Sequence, residues 1–139
     1  MKVEMKWNGK MQFQAETPSG HRVTIDAAPD VGGENKGPRP TELLLAAAGA
    51  CSGIDIVGIL RKMRLEVESY EMEISGERAE DHPRRFTNVH IHYRLTGDLP
   101  EEKVRRAVDL SRDKYCSVSQ SLNGEVTTSF EINGKRFDS

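Results

Sequence analysis

The chain opens on alternating charge and bulk, Lys2-Val3-Glu4-Met5-Lys6-Trp7, and the alternation returns over Met11–Glu16. Both segments are therefore predicted as strands, joined at Asn8-Gly9, a dipeptide suited to a tight hairpin turn. A third strand is expected at His21–Asp26. Ala27 to Pro40 is rich in Gly and Pro and reads as a loop, the natural place for a mobile flap. Gly32 and Gly37 have the spacing of a phosphate-binding loop. However, Pro38-Arg39 stands where that motif needs Lys and then Ser or Thr, so phosphate binding is not expected.

The longest apolar run, Leu43 to Leu60, has the length of a membrane span. Asp55 lies well inside it, at an insertion cost of about 2.5–3.5 kcal/mol, and Gly49, Ser52, Gly53 and Gly58 dilute its hydrophobicity. A buried helix is predicted instead, with no membrane partner. Thr41 can cap its start after Pro40, Glu42 suits the positive end, and Arg61, Lys62 and Arg64 suit the negative end. Apolar residues cover nearly its whole circumference, which demands burial on all sides, and a chain of 139 residues struggles to wrap such a helix alone. The small stretch Ala46-Ala47-Ala48-Gly49-Ala50 would let another helix approach closely, so a homodimer is expected.

Beyond the helix, Glu66–Glu77 and Phe86–Leu95 form a predicted antiparallel pair with its tip at Ala79 to Arg85. Glu71, Glu73, His90 and His92 fall at the strand period of two. A charged helix is predicted from Pro100 to about Lys114, with Val104, Ala107, Val108 and Leu110 as its buried stripe. Tyr115 to Leu122 reads as a short helix and Val126–Ile132 as the closing strand, ending in the turn Asn133-Gly134. The fold class is α+β, one domain over residues 1–139.

Charge and composition narrow the functional classes. Lys and Arg number 20 against 22 Asp and Glu, and 36% of residues are hydrophobic, an ordinary globular balance that gives no reason to expect a nucleic-acid partner. The first residues do not form a basic, apolar leader, so the cytoplasm is the expected location. In that reducing compartment Cys51 and Cys116 are read as free thiols or a redox pair rather than a permanent crosslink.

A thiolate is the reactive form of cysteine, and local sequence favours it at Cys116, which sits at a helix start with Arg112 and Lys114 nearby. Cys51 lies beyond the first helical turn, and Asp55 at i+4 would oppose its ionisation. Taken alone, each cysteine reads as a packed small hydrophobe ahead of a reactive thiol, and local physics does not choose further. Asp55 itself needs hydrogen bonds or a cation; fixing the dimer core is preferred to tuning Cys51. His90 and His92 share a strand face, but no third ligand has a recognisable spacing. They read as solvated strand residues, and no metal site is expected. His21, beside Arg22, reads as a turn residue after Ser19-Gly20.

The stretch Gly37-Pro38-Arg39-Pro40-Thr41-Glu42-Leu43-Leu44-Leu45-Ala46-Ala47-Ala48-Gly49-Ala50-Cys51 resembles the helix leading into the first cysteine of the osmotically induced protein C and organic hydroperoxide resistance (OsmC/Ohr) family. Cys116-Ser117-Val118-Ser119-Gln120-Ser121-Leu122, followed by Glu125-Val126-Thr127, is similar to the family's second cysteine, short helix and closing strand. The order of elements agrees over nearly the whole chain. The resemblance implies an OsmC-like α+β fold: an intertwined homodimer with a long buried central helix and antiparallel sheets. It also implies a peroxidatic role for Cys51 and a resolving role for Cys116, acting on an organic hydroperoxide with an external thiol reductant and no bound cofactor. The family further uses a glutamate and an arginine beside the first thiol. Here Thr41 holds the glutamate's place, with Glu42 one position on, and Phe13 falls near the arginine's, leaving Arg22 and Arg39 as substitutes. These departures resemble the YhfA-like branch of the family. The alternative is a non-enzymatic module of the same fold that binds a small apolar ligand or a partner protein at the dimer cleft.

Overall fold

A computed structural model describes all of residues 1–139. It divides into two compact units, Met1–Leu44 and Leu45–Ser139.

In the first unit the predicted alternation forms an antiparallel meander of β1 (Glu4–Trp7), β2 (Phe13–Glu16) and β3 (Arg22–Ile25). The β1–β2 connection is wider than the two-residue turn that Asn8-Gly9 suggests. The Asn8 N–H donates to the Gln12 carbonyl at 2.9 Å and the Gln12 N–H to the Gly9 carbonyl at 3.0 Å. Gly9 and Lys10 both take positive φ, 94° and 49°, so the glycine's freedom is used but the turn spans five residues, Asn8 to Gln12.

The Gly/Pro-rich loop is tied down, contrary to a mobile flap. Buried Asp26 accepts N–H groups from Ala27 (2.8 Å), Glu34 (3.1 Å) and Lys36 (3.2 Å) across the loop's base. Burial pushes its carboxyl up, but these three donors and the Arg39 charge outweigh that, and its pKa falls below the ordinary value. A carboxyl depressed on folding stabilises above its unfolded pKa of about 3.9 and loses that contribution as the pH falls through the lower folded value. Asp26→Ala should therefore speed hydrogen exchange at the Glu34 and Lys36 amides at neutral pH. In the wild type, the same quickening should appear only in acid below about pH 4.

The long helix α1 (Pro40–Lys62) starts earlier than a Thr41 cap would place it. Pro40 is the first helical residue, and the Glu42 carboxylate accepts the Arg39 N–H at 2.8 Å, so Glu42 completes the start while Thr41 lies inside the first turn.

The second unit contains most of α1 and a four-stranded sheet in the order β4 (Ser69–Arg78), β5 (Phe86–Thr96), β6 (Glu125–Ile132), β7 (Lys135–Asp138). The antiparallel expectation holds for β4–β5, with Glu73 opposite His92 and Ser75 opposite His90. β6 instead runs parallel to β5, reached through α2 (Glu101–Leu110), a π-turn at Ser111–Tyr115 and α3 (Ser117–Ser121). A parallel neighbour needs such a long crossover. The strand β7 extends the predicted fold: Asn133 and Gly134, at φ 51° and 85°, turn the chain back along β6.

Strand alternation sends Val89, Ile91, Tyr93 and Leu95 inward against Ile56 and Leu60 of α1 and Val104, Ala107 and Val108 of α2. Each large side chain buried this way is worth about 1.5–3 kcal/mol. α1 also packs closely on β4. A Cβ at Gly49 would lie 2.6 Å from Ile74 Cδ1, and one at Gly53 would lie 2.8 Å from Met72 Cε. The small residue predicted to admit another helix thus admits the chain's own strand, while Ala46, Ala47 and Ala50 remain exposed.

The sequence predicts burial all round α1, but within one chain only one face is covered. Six of its 23 residues are buried, and Ile54 is 73% exposed. By length and composition α1 is the one helix able to cross a membrane. Its buried face, however, carries Ser52 in a hydrogen-bonded polar cluster.

Candidate functional site

Cys51 lies midway along α1, where the helix presents Cys51 and, one turn later, Asp55 on the same side. Cys116 comes from the end of the crossover. Its N–H closes the π-turn on the Ser111 carbonyl at 2.8 Å, and its sulfur caps α3 by accepting the Ser119 N–H at 3.4 Å. The π-turn adds a residue to the helical path and leaves a carbonyl at Arg112, which accepts the Gln120 side-chain amide at 2.9 Å. These elements bring the two sulfurs and an Asp55 carboxylate oxygen within 4.8 Å of one another. Both cysteines are free thiols, Cys51 half-buried and Cys116 fully buried.

Their electrostatics reverse the local-sequence expectation. Partial burial pushes the Cys51 thiol up, but the Val118 amide, the Cys116 S–H and the Ser117 hydroxyl act together to bring its pKa below the ordinary thiol value. The Ser117 Oγ stands 3.8 Å from the sulfur, and the Asp55 charge, the expected opponent, is the smallest influence. Burial drives the Cys116 thiol the other way, above its ordinary value, and its proximity to Cys51 adds to that despite the Ser119 hydrogen bonds. The first turn of α3 therefore serves both thiols: Val118 and Ser117 lower Cys51, and Ser119 bonds Cys116 without offsetting its burial. An alkylating reagent at neutral pH should label Cys51 first and leave Cys116 unmodified until the protein unfolds. Peptide mass mapping over a time course checks this, and equal labelling would contradict the assignment.

Beneath Cys51 runs a buried polar chain that the sequence did not single out. Ser111 has one proton and two acceptors within reach of it, Asp55 Oδ2 at 3.0 Å and Ser52 Oγ at 3.2 Å. Ser52 Oγ is in turn hydrogen-bonded to the Tyr93 hydroxyl. Burial pushes the Tyr93 phenol up to about 12, so it stays a donor through neutral pH. Asp55 is thus held within the chain by Ser111. The available signal was Ser52 inside an apolar helix and Tyr93 on the inward phase of a strand.

Thr41, Glu42, Arg22 and Arg39 belong to the first unit; Asp55 shares the second unit with the cysteines. Arg22 pairs with Glu16 at 3.2 Å, and Arg39 donates to Asn35 Oδ1 at 2.8 Å and to the Gly37 carbonyl at 3.1 Å. No cation is among the influences that lower Cys51.

His90 and His92 are not simply solvated. Glu131 Oε2 lies 2.8 Å from His92 Nε2, Ser129 Oγ lies 2.7 Å from His92 Nδ1 and 2.8 Å from His90 Nε2, and Thr127 Oγ1 lies 2.7 Å from His90 Nδ1. The parallel register of β5 and β6 creates this ladder, which occupies all four ring nitrogens. Burial and the neighbouring His92 lower the His90 pKa, keeping that ring neutral at pH 7.

Residues 33–131 match the family described as OsmC-like protein. The chain is 42% identical over 135 residues to Protein YhfA of Escherichia coli strain K12, covering 95% of this chain and 98% of that one. A crystal structure of a hypothetical protein from Aquifex aeolicus VF5 superposes with a TM-score of 0.83 at 34% identity, covering 94% of each chain. The same fold occurs at a TM-score of 0.67 and 20% identity in a Legionella pneumophila protein described as an organic hydroperoxide resistance protein OsmC, covering 95% of this chain and 96% of that one.

Proposed function

The chain belongs to the OsmC-like protein family, and from that premise we propose that it reduces organic hydroperoxides by cysteine chemistry, with Cys51 peroxidatic and Cys116 resolving. The observation that carries this reading is an accessible thiol of lowered pKa beside a buried thiol of raised pKa, with their sulfurs within 4.8 Å. The description of the Legionella protein agrees with it.

In the first step the Cys51 thiolate attacks the terminal oxygen of the hydroperoxide. The O–O bond breaks, the sulfur becomes a sulfenic acid, and the alkoxide takes a proton and leaves as the alcohol. The sulfur of Cys116 then displaces hydroxide from the sulfenic acid. Its proton joins that hydroxide as water, and a Cys51–Cys116 disulfide remains. Two equivalents of an external thiol return both cysteines to the reduced state, a cycle suited to a reducing compartment such as the cytoplasm.

The Val118 amide and the Ser117 hydroxyl supply the ionisation that the family's arginine and glutamate supply elsewhere, which leaves Thr41, Glu42, Arg22 and Arg39 as auxiliaries at most in this reading. OsmC/Ohr proteins are generally homodimers, and we assign the exposed apolar face of α1 around Ile54 to a second copy of the chain. One equivalent of cumene hydroperoxide added to the reduced protein should yield one Cys51–Cys116 disulfide per chain, identified by peptide mass mapping. A folded protein that retains both thiols would refute the proposal.

A further inference from the structure

Two thiols and a carboxylate converging from separate elements have a second chemical capacity, which goes beyond the peroxide reading and does not depend on it. The sulfurs of Cys51 and Cys116 and an oxygen of Asp55 all lie within 4.8 Å of one another. Zinc–sulfur bonds of about 2.3 Å at a tetrahedral angle separate two sulfurs by roughly 3.8 Å. Each pair of ligand atoms therefore needs to close by about 1 Å at most.

The surrounding hydrogen bonds already orient the three groups. Ser111 donates to Asp55 Oδ2 at 3.0 Å, the Ser119 N–H donates to the Cys116 sulfur at 3.4 Å, and Ser117 Oγ stands 3.8 Å from the Cys51 sulfur. Outer contacts of this kind fix ligand orientation in metal sites. There is also a way in. Cys51 and Asp55 are half-buried, and Asp55 lines a groove whose Ile54 side falls on the face assigned to a second copy and whose other side, at Leu110 and Tyr115, is the entry. Two sulfur ligands select Zn²⁺ and its soft relatives over Mg²⁺ or Ca²⁺.

We propose that in the reduced protein Cys51, Asp55 and Cys116 form a three-ligand site for a soft divalent cation such as Zn²⁺, with a fourth position open to water. Binding releases to solvent whatever protons the two sulfurs still carry and changes no oxidation state. A bound cation holds both sulfurs and protects them from oxidation to a disulfide.

Cobalt(II) titrated anaerobically into the full-length reduced protein, with no peroxide present, provides the test. One cobalt per chain should bind with a thiolate-to-metal charge-transfer band and the intense visible bands of a tetrahedral centre, and Zn²⁺ should displace it. Alkylating Cys51 of the wild-type protein should remove both signals without any mutation. Asp55→Asn, its fold checked by circular dichroism, should keep the charge-transfer band but weaken binding more than about tenfold. The weak spectrum of octahedral cobalt without charge transfer would overturn the proposal, as would Asp55→Asn binding as tightly as wild type. Because peroxide is absent, a protein inert to hydroperoxide but positive for cobalt would separate failure of the redox reading from failure of this one.

Discussion

Cys51→Ser is expected to abolish hydroperoxide consumption and peroxide-driven disulfide formation, the largest functional effect that any single substitution should have. The serine hydroxyl has no accessible anion at neutral pH and forms no sulfenic acid. The neighbouring Cys116 cannot take over, because it is fully buried and burial holds its pKa above the usual thiol value. Cys116→Ser should behave differently. The first attack at Cys51 should proceed, because the serine hydroxyl keeps a donor where the Cys116 S–H stood, and the reaction should stop at a sulfenic acid that a diketone reagent can trap. The pH profile follows from the same assignment. The thiolate is the reactive form, so the wild-type rate should fall as the pH is lowered through a midpoint below the usual thiol value of about 8.5. Loss of activity on lowering the pH through 8.5 itself would show that the Val118, Ser117 and Cys116 donors do not stabilise the thiolate.

Phe130→Ala should cost about 3–5 kcal/mol, the largest single loss of stability expected from a side chain away from the thiols. Phe130 is fully buried on β6, stacks on Phe137 of β7 with ring centroids 5.2 Å apart, and lies under the Arg105 guanidinium of α2 at 5.3 Å. One ring therefore joins two strands and the crossover helix, and truncation leaves a cavity that a sheet and a helix cannot both move to fill. Domains of this size hold about 5–15 kcal/mol in total, so a large share is at stake. Urea unfolding should show a lower midpoint at unchanged slope. Phe130→Leu should lose less, since it retains most of the volume. A loss below about 1 kcal/mol for the alanine variant would mean that the β6–β7 pair does not form part of the cooperative core.

Much of the fold was legible from periodicity. The alternation in Lys2–Trp7 and Phe86–Leu95 and the stripe Val104, Ala107, Val108 marked elements where they occur. β7 was missed because Lys135–Asp138 contains one apolar residue, Phe137, and gains its strand character from pairing with β6. The parallel β5–β6 pairing was illegible for a related reason: nothing in either strand specifies its direction relative to a partner so far along the chain. The same limit misdirected the cysteine reading. Sequence shows each thiol only within its own helix, whereas the amide that lowers Cys51 belongs to Val118, carried there by the crossover. Ser117, Ser111 and Ser52 have no role assignable from sequence, because a serine's hydrogen-bond partners are set only by the fold. Asp55, a charge in an apolar run, was visible from the start and lies within 4.8 Å of both sulfurs.

The most direct test of Cys51 as a peroxidatic thiol is its rate of loss, followed by rapid quench and mass mapping, on mixing the reduced protein with cumene hydroperoxide at neutral pH beside free cysteine. Loss at Cys51 exceeding the free thiol by ~10²-fold or more, with the Cys51–Cys116 disulfide appearing after it, is the predicted result. Loss no faster than free cysteine, in a folded protein with both thiols reduced, would contradict it and direct attention to ligands of the groove beside Ile54.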